Sequence, residues 1–69
     1  MVSYKKFQKK LIDEDVSKSK IKSDLKLSSA TMAKLNSNKY VAMSVIEKIC
    51  QYFDCNIEEV IEFKNIRRN

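Results

Sequence analysis

The sequence predicts an all-α domain of five short helices, the second and third joined by a tight turn. Three observations carry this expectation. Apolar residues recur at spacings of three and four, as in Phe7 and Leu11, Ile21 and Leu25, Met32 and Leu35, and Val45, Ile46, Ile49, Cys50 and Phe53. Ser17 and Ser28 stand at N-cap positions just before two of these stripes. Between them Leu27 breaks the period, which places a turn near Lys26. Two short amphipathic helices meeting at such a turn make a helix-turn-helix, and that motif presents its second helix to a DNA major groove.

The first helix is expected from Ser3 to about Asp13, with Phe7 and Leu11 inward, Tyr4 and Ile12 flanking them, and Lys5, Lys6, Lys9 and Lys10 on the other faces. Asp13-Glu14-Asp15 reads as a helix end and loop, because a catalytic acid pair needs a pocket and a partner. Asp15 tolerates a left-handed conformation there, and Val16 then turns into the core. The second helix runs from about Lys18 to Leu25 and the third from about Ser29 to Leu35. Asn36-Ser37-Asn38 is a turn in which asparagine supplies the permissive conformations. The fourth helix is expected from Met43 to Phe53. A fifth starts at Asn56, which forms a capping box with Glu59 and turns Ile57, Val60 and Ile61 inward. Phe63 to Asn69 reads as a short tail with Arg67 and Arg68 mobile; 1–69 is then one domain and 64–69 its tail.

A chain of 69 residues has room for one small domain with a modest core, and none for a deep catalytic pocket. No apolar run approaches the roughly 20 residues of a membrane span, and the first ten residues lack the apolar centre of a signal peptide, so a cytoplasmic location is expected. The sequence has no glycine, hence no glycine-rich phosphate loop, and no histidine to serve a serine or cysteine as base. An enzyme is therefore not expected, nor a cofactor or small-molecule ligand. Cys50 and Cys55 read as small buried hydrophobes or as a disulfide; without histidine or a third thiol they make no zinc site, so no metal is expected.

The net charge is +5, and it is unevenly spread. Through Lys39 ten lysines face four acids; from Tyr40 onward four bases face five acids. The basic half carries the helix-turn-helix, and such asymmetry suits a polyanion. A solubilising face is the plain alternative; a membrane-surface role is disfavoured because the basic helices lack large aromatic anchors on a continuous apolar face.

The run Val16-Ser17, Ile21, Leu25, Leu27-Ser28 and Thr31 to Leu35, followed by Asn36-Ser37-Asn38-Lys39, resembles the Cro and lambda-repressor (XRE-like) family of helix-turn-helix regulators. Val45 to Cys50 and Cys55 to Ile61 resemble the closing helices of its small members, so that the resemblance extends from about Tyr4 to Phe63. Two positions depart from the family pattern. Lys26 replaces the usual turn glycine, and Lys22 replaces the small residue that often packs between the two helices. A left-handed lysine costs about 1 kcal/mol more than glycine, and Lys22 must send its ammonium outward along its aliphatic stem.

The resemblance implies a compact five-helix lambda-repressor-like domain that binds double-stranded DNA, a transcriptional regulator of the Cro/C1 type, and a repressor. Ser29, Ala30 and Lys34 would point into the groove, with Ala33 near its edge. Chemically, Ser29 suits either base type, Ala30 a thymine methyl and Lys34 the guanine acceptors. Phosphate contacts are expected from Ser17 and Lys18 at the start of the second helix, from Thr31, which equally suits capping, and from Asn36, Asn38, Lys39 and Tyr40 beyond the third. For Asn36 and Asn38 turn chemistry is an equal alternative. Family members commonly dimerise on palindromes, and Phe63 and Ile66 are candidates for a homodimer seam, with a tail folded back over the core as the alternative. The rival reading is a protein-interaction module, an antitoxin or adaptor, on the same fold.

Overall fold

The computed structural model describes residues 1–64. It contains a strand β1 (Val2–Ser3), helices α1 (Lys5–Asp13), α2 (Lys18–Leu25), α3 (Ser29–Asn36) and α4 (Met43–Phe53), a single 3₁₀ turn (Ile57–Glu59) and a strand β2 (Glu62–Phe63).

The N-caps form where the serines stand. The Ser17 hydroxyl accepts from the Lys20 N–H at 3.0 Å, and the Ser28 hydroxyl from the Thr31 N–H at 3.0 Å. Each satisfies a donor that the first turn of a helix leaves without a partner. The helix ends share one device. Asp15, Lys26, Asn38 and Asp54 all adopt left-handed backbone, with φ of 56°, 55°, 57° and 53°. The residue after each folds its N–H back onto the helix. Val16 donates to the Leu11 carbonyl, Leu27 to Lys22, Lys39 to Lys34 and Cys55 to Cys50, at 2.8–3.0 Å. This is the Schellman closure, made here without glycine. In the α2–α3 turn it also buries Leu27, which fixes the angle at which α3 leaves α2.

The core joins Phe7 and Leu11 of α1, Ile21 of α2, Met32 and Leu35 of α3, and Ile46 and Ile49 of α4. Tyr4 completes the α1 stripe and is almost fully buried. Its N–H donates to Asn38 Oδ1 at 2.9 Å and its hydroxyl to the Lys39 carbonyl at 2.7 Å, which ties the start of α1 to the turn after α3.

The structure corrects the expected helices at both ends of the chain. The first helix begins at Lys5 and not Ser3, because Val2 and Ser3 pair antiparallel with Phe63 and Glu62. The fifth helix is not formed, and the α-helices number four among the described residues. The capping contact is present, with Glu59 Oε2 accepting from the Asn56 N–H at 3.2 Å, but it starts only one 3₁₀ turn. Val60 then drops into the core and the chain extends along β1, where the Lys64 N–H reaches the Met1 carbonyl at 2.7 Å. Pairing β2 with β1 satisfies backbone groups that a short helix there would leave at its ends. Two apolar assignments also change. Ile12 is 78% exposed, since Tyr4 takes the place beside Phe7 and Leu11; Ile57 is 41% exposed. Ile66, Arg67 and Arg68 lie outside the described residues.

Two stability outcomes follow from this packing. Leu35→Ala should lower the unfolding free energy by about 2–5 kcal/mol in urea titrations, while Ile12→Ala should change it by no more than about 0.5 kcal/mol. Lys26→Gly should raise it by about 0.5–1 kcal/mol, because glycine removes the Cβ clash of the left-handed turn and loses only part of that gain to its freer unfolded chain.

Candidate nucleic-acid interface

The helix-turn-helix sets α3 with Met32 and Leu35 against the core and its opposite side outward. On that outer side Ser29, Ala30, Ala33 and Lys34 are all exposed. They are brought together by helical geometry, since Ser29 and Ala33, and Ala30 and Lys34, lie four residues apart. Thr31 is half-buried and belongs to the cap; its hydroxyl oxygen accepts from the Ser28 hydroxyl at 3.0 Å.

The flanking positions divide by what already occupies them. Ser17 uses its hydroxyl as an N-cap, and Lys18 beside it is exposed. Asn36 Oδ1 accepts from the Gln8 side chain at 3.4 Å. Asn38 is held more firmly, by its left-handed backbone and by the Tyr4 N–H at its Oδ1. Lys39 commits its backbone N–H and carbonyl to the turn and leaves its side chain exposed. Tyr40 is 66% exposed.

Electrostatics separates the lysines further than their positions in the sequence do. Lys6, Lys9 and Lys10 of α1 pair with Glu62, Asp13 and Glu59 at 3.5, 3.4 and 3.3 Å. Lys20 of α2 pairs with Asp24 at 3.1 Å. Among the described residues Lys18, Lys22, Lys26, Lys34 and Lys39 enter no ion pair. Positive charge without a carboxylate partner therefore gathers on the α2–α3 unit, while much of the charge on α1 is spent within the fold.

Lys22 and Lys26 belong to this unpaired group but stand outside the contacts expected from the sequence. Lys22 leaves the helix interface as its length requires, and at the surface its Nζ donates to Ser29 Oγ at 2.9 Å. Lys26 and Lys22 line one shallow depression with Ser19, Ser23 and Leu27. In the sequence they are the two departures from the small residues of the family pattern. A second polar link seats α2 on α4, where the Tyr52 hydroxyl donates to Asp24 Oδ2 at 2.7 Å beside the Lys20 pair. The Tyr52 hydrogen bond, then that of Lys20, hold the Asp24 carboxyl below the usual carboxylate range. Cys50 and Cys55 are both free thiols, partly exposed at the end of α4, and the described residues hold no metal-binding cluster.

Two N-capped helices crossing at a tight turn, with an exposed polar face on the second and unpaired lysines around both, define a helix-turn-helix DNA-binding protein. The model of the Cro/C1-type HTH DNA-binding domain matches residues 6–65, and the chain belongs to that family. A solved structure, that of the transcriptional regulator VanUg (Form II), is similar at 39% identity with a TM-score of 0.85, over 88% of this chain and 81% of that one. No curated protein matches. The family expected from the sequence is thus the family found.

The Asp24 network has a pH signature. A carboxylate whose folded pKa is depressed contributes stability above its unfolded pKa and loses it as pH falls through the folded value. Tyr52→Phe removes the larger cause of the Asp24 shift, so the variant should lose less stability than the parent between about pH 5 and pH 2. Thermal melts across that range, compared with those at neutral pH, measure the difference.

Proposed function

We propose that this protein binds a specific double-stranded DNA sequence as a transcriptional regulator and acts as a repressor by occupying a promoter. The observation that carries the reading is the exposed outer face of α3 within a helix-turn-helix whose Lys18, Lys22, Lys26 and Lys34 have no carboxylate partner among the described residues. Ser29, Ala30, Ala33 and Lys34 read base edges, the N-terminal residues of α3 lying deepest in the major groove. Ser17, Lys18, Asn36, Asn38, Lys39 and Tyr40 hold the two flanking backbones, with Thr31 at the rim. Side-chain and backbone donors at the start of α2 favour a phosphate there.

The protein works without cofactor or metal and without enzymatic activity, in the cytoplasm. Occupancy alone suffices for repression. One such domain makes few base contacts, so two copies on a palindrome give a workable affinity. Phe63, 70% exposed on β2, is the described residue we assign to that homodimer. In the rival reading, an antitoxin or adaptor that uses the fold to bind protein, random duplex is retarded only at low salt and no promoter is held at physiological salt.

Selection of bound sites from a random duplex pool gives the preferred sequence. Against it, Lys34→Ala should lose about 1–3 kcal/mol of discrimination over random duplex. Lys39→Ala should weaken both to a similar degree and reduce the salt slope by about 1. For one subunit log affinity should fall with log salt at a slope of roughly −3 to −6, at about −0.9 per phosphate neutralised. Equal losses from both substitutions on both DNAs would remove α3 from its reading role, and a slope near zero would leave the lysines merely solvated.

A further inference from the structure

We infer that Lys22 of α2 and Ser29 of α3 form a composite reader for one guanine in the DNA site. The inference rests on the reading of α3 as the groove-facing helix, and it adds a residue from the other helix to the base-contacting set.

The argument starts from the hydrogen bond. An ammonium is a donor only, so in the 2.9 Å contact Lys22 donates and the Ser29 oxygen accepts. A serine alone serves donor and acceptor edges equally. With Lys22 on one of its lone pairs, the Ser29 hydroxyl turns its own hydrogen away from the ammonium and presents it as a donor. The ammonium keeps two further N–H groups, and it has no carboxylate partner among the described residues. Two donors, one of them charged, therefore stand side by side at the first residue of α3.

Base edges in the major groove differ in how they meet two adjacent donors. Guanine offers two acceptors, N7 and O6. Adenine offers N7 but sets an N6 amino group beside it, cytosine presents a donor, and thymine a single acceptor next to a methyl. Only guanine offers a separate acceptor atom to each donor; thymine offers one oxygen beside its methyl, and adenine and cytosine set a donor of their own there. The pair thus divides between an ammonium and a hydroxyl what an arginine does with one guanidinium.

The arrangement also accounts for the lysine at the α2 position where a small residue often packs. The Lys22 carbonyl accepts the Leu27 N–H that closes the turn, at 2.9 Å. The same residue thereby shapes the turn with its backbone and crosses it with its side chain. Its anchoring to Ser29 holds the ammonium at the start of α3 before DNA arrives, which lowers the side-chain entropy lost on contact.

The test is site selection from a random duplex pool with the full chain, Lys22→Met and Ser29→Ala, each first checked for unchanged helical content and melting. Lys22→Met keeps the stem and removes the donor. The parent should require guanine at one position per half-site, and both variants should relax that same position, leaving the others intact. On the selected duplex, replacing that guanine by 7-deazaguanine should weaken the parent about 5- to 150-fold and either variant much less, the range of a bidentate base contact. Selection by Lys22→Met of the parental sequence with guanine intact would overturn the composite reader while leaving the DNA-binding reading in place. Equal weakening of selected and random duplex by Lys22→Met would overturn it as well, and make Lys22 a phosphate contact. If the parent enriches no sequence, the reading of α3 falls and this inference with it.

Discussion

Everything in this fold depends on the chain being able to reverse after a helix without glycine. The left-handed residues Asp15, Lys26, Asn38 and Asp54 do this at the ends of the four α-helices, and the N–H that follows each one closes on a carbonyl of the last turn. The reversals keep the helices short and bring their apolar stripes to one centre. The turn at Lys26 matters most. It carries Leu27 into the core and sets α3 across α2, so the same backbone hydrogen bond that ends one helix aims the next. Asparagine and aspartate adopt this conformation at modest cost, and lysine at a larger one.

The polar links act as a second frame around the apolar one. Tyr4 binds the entry of α1 to the turn after α3 through Asn38 and Lys39, and Tyr52 seats α4 on α2 through Asp24. Both leave the outer side of α3 untouched and fix what surrounds it. Asn38 shows how closely support and surface adjoin. Its side-chain oxygen is committed to the fold, so only its amide nitrogen is left to meet a phosphate. Ser17 divides its labour in the same way, its hydroxyl capping α2 at the place where the first N–H groups of the helix face outward.

Charge is arranged by the same economy. The sequence shows ten lysines before Tyr40. The fold ties three of the four on α1 to carboxylates and Lys20 of α2 to Asp24; among the described residues five of the six left without such a partner, all but Lys5, lie on α2, α3 and the turns that follow them. Exposed ion pairs of this kind add little to stability. Their consequence here is one of placement: among the described residues, most lysines without a carboxylate partner lie on the helix-turn-helix and the turn after it.

What the sequence by itself determined was local. The serine caps, the three-and-four spacing and the break at Leu27 place α2, α3 and α4 within a residue of their ends, because caps and helical periodicity act within one or two turns. The family, too, was legible from that stretch. What only the tertiary structure decided depends on residues far apart in the chain. The capping contact of Asn56 and Glu59 was read correctly, yet the helix it announced stops after one turn, because Val2 and Ser3 offer the following residues a strand partner some sixty positions away. Periodicity also could not tell Ile12 from Tyr4, since both border the Phe7 and Leu11 stripe and only Asn38 and Lys39 favour the tyrosine. The Lys22 to Ser29 contact belongs to the same class. Each residue was visible, but a hydrogen bond across a turn exists only once the crossing of two helices has been set.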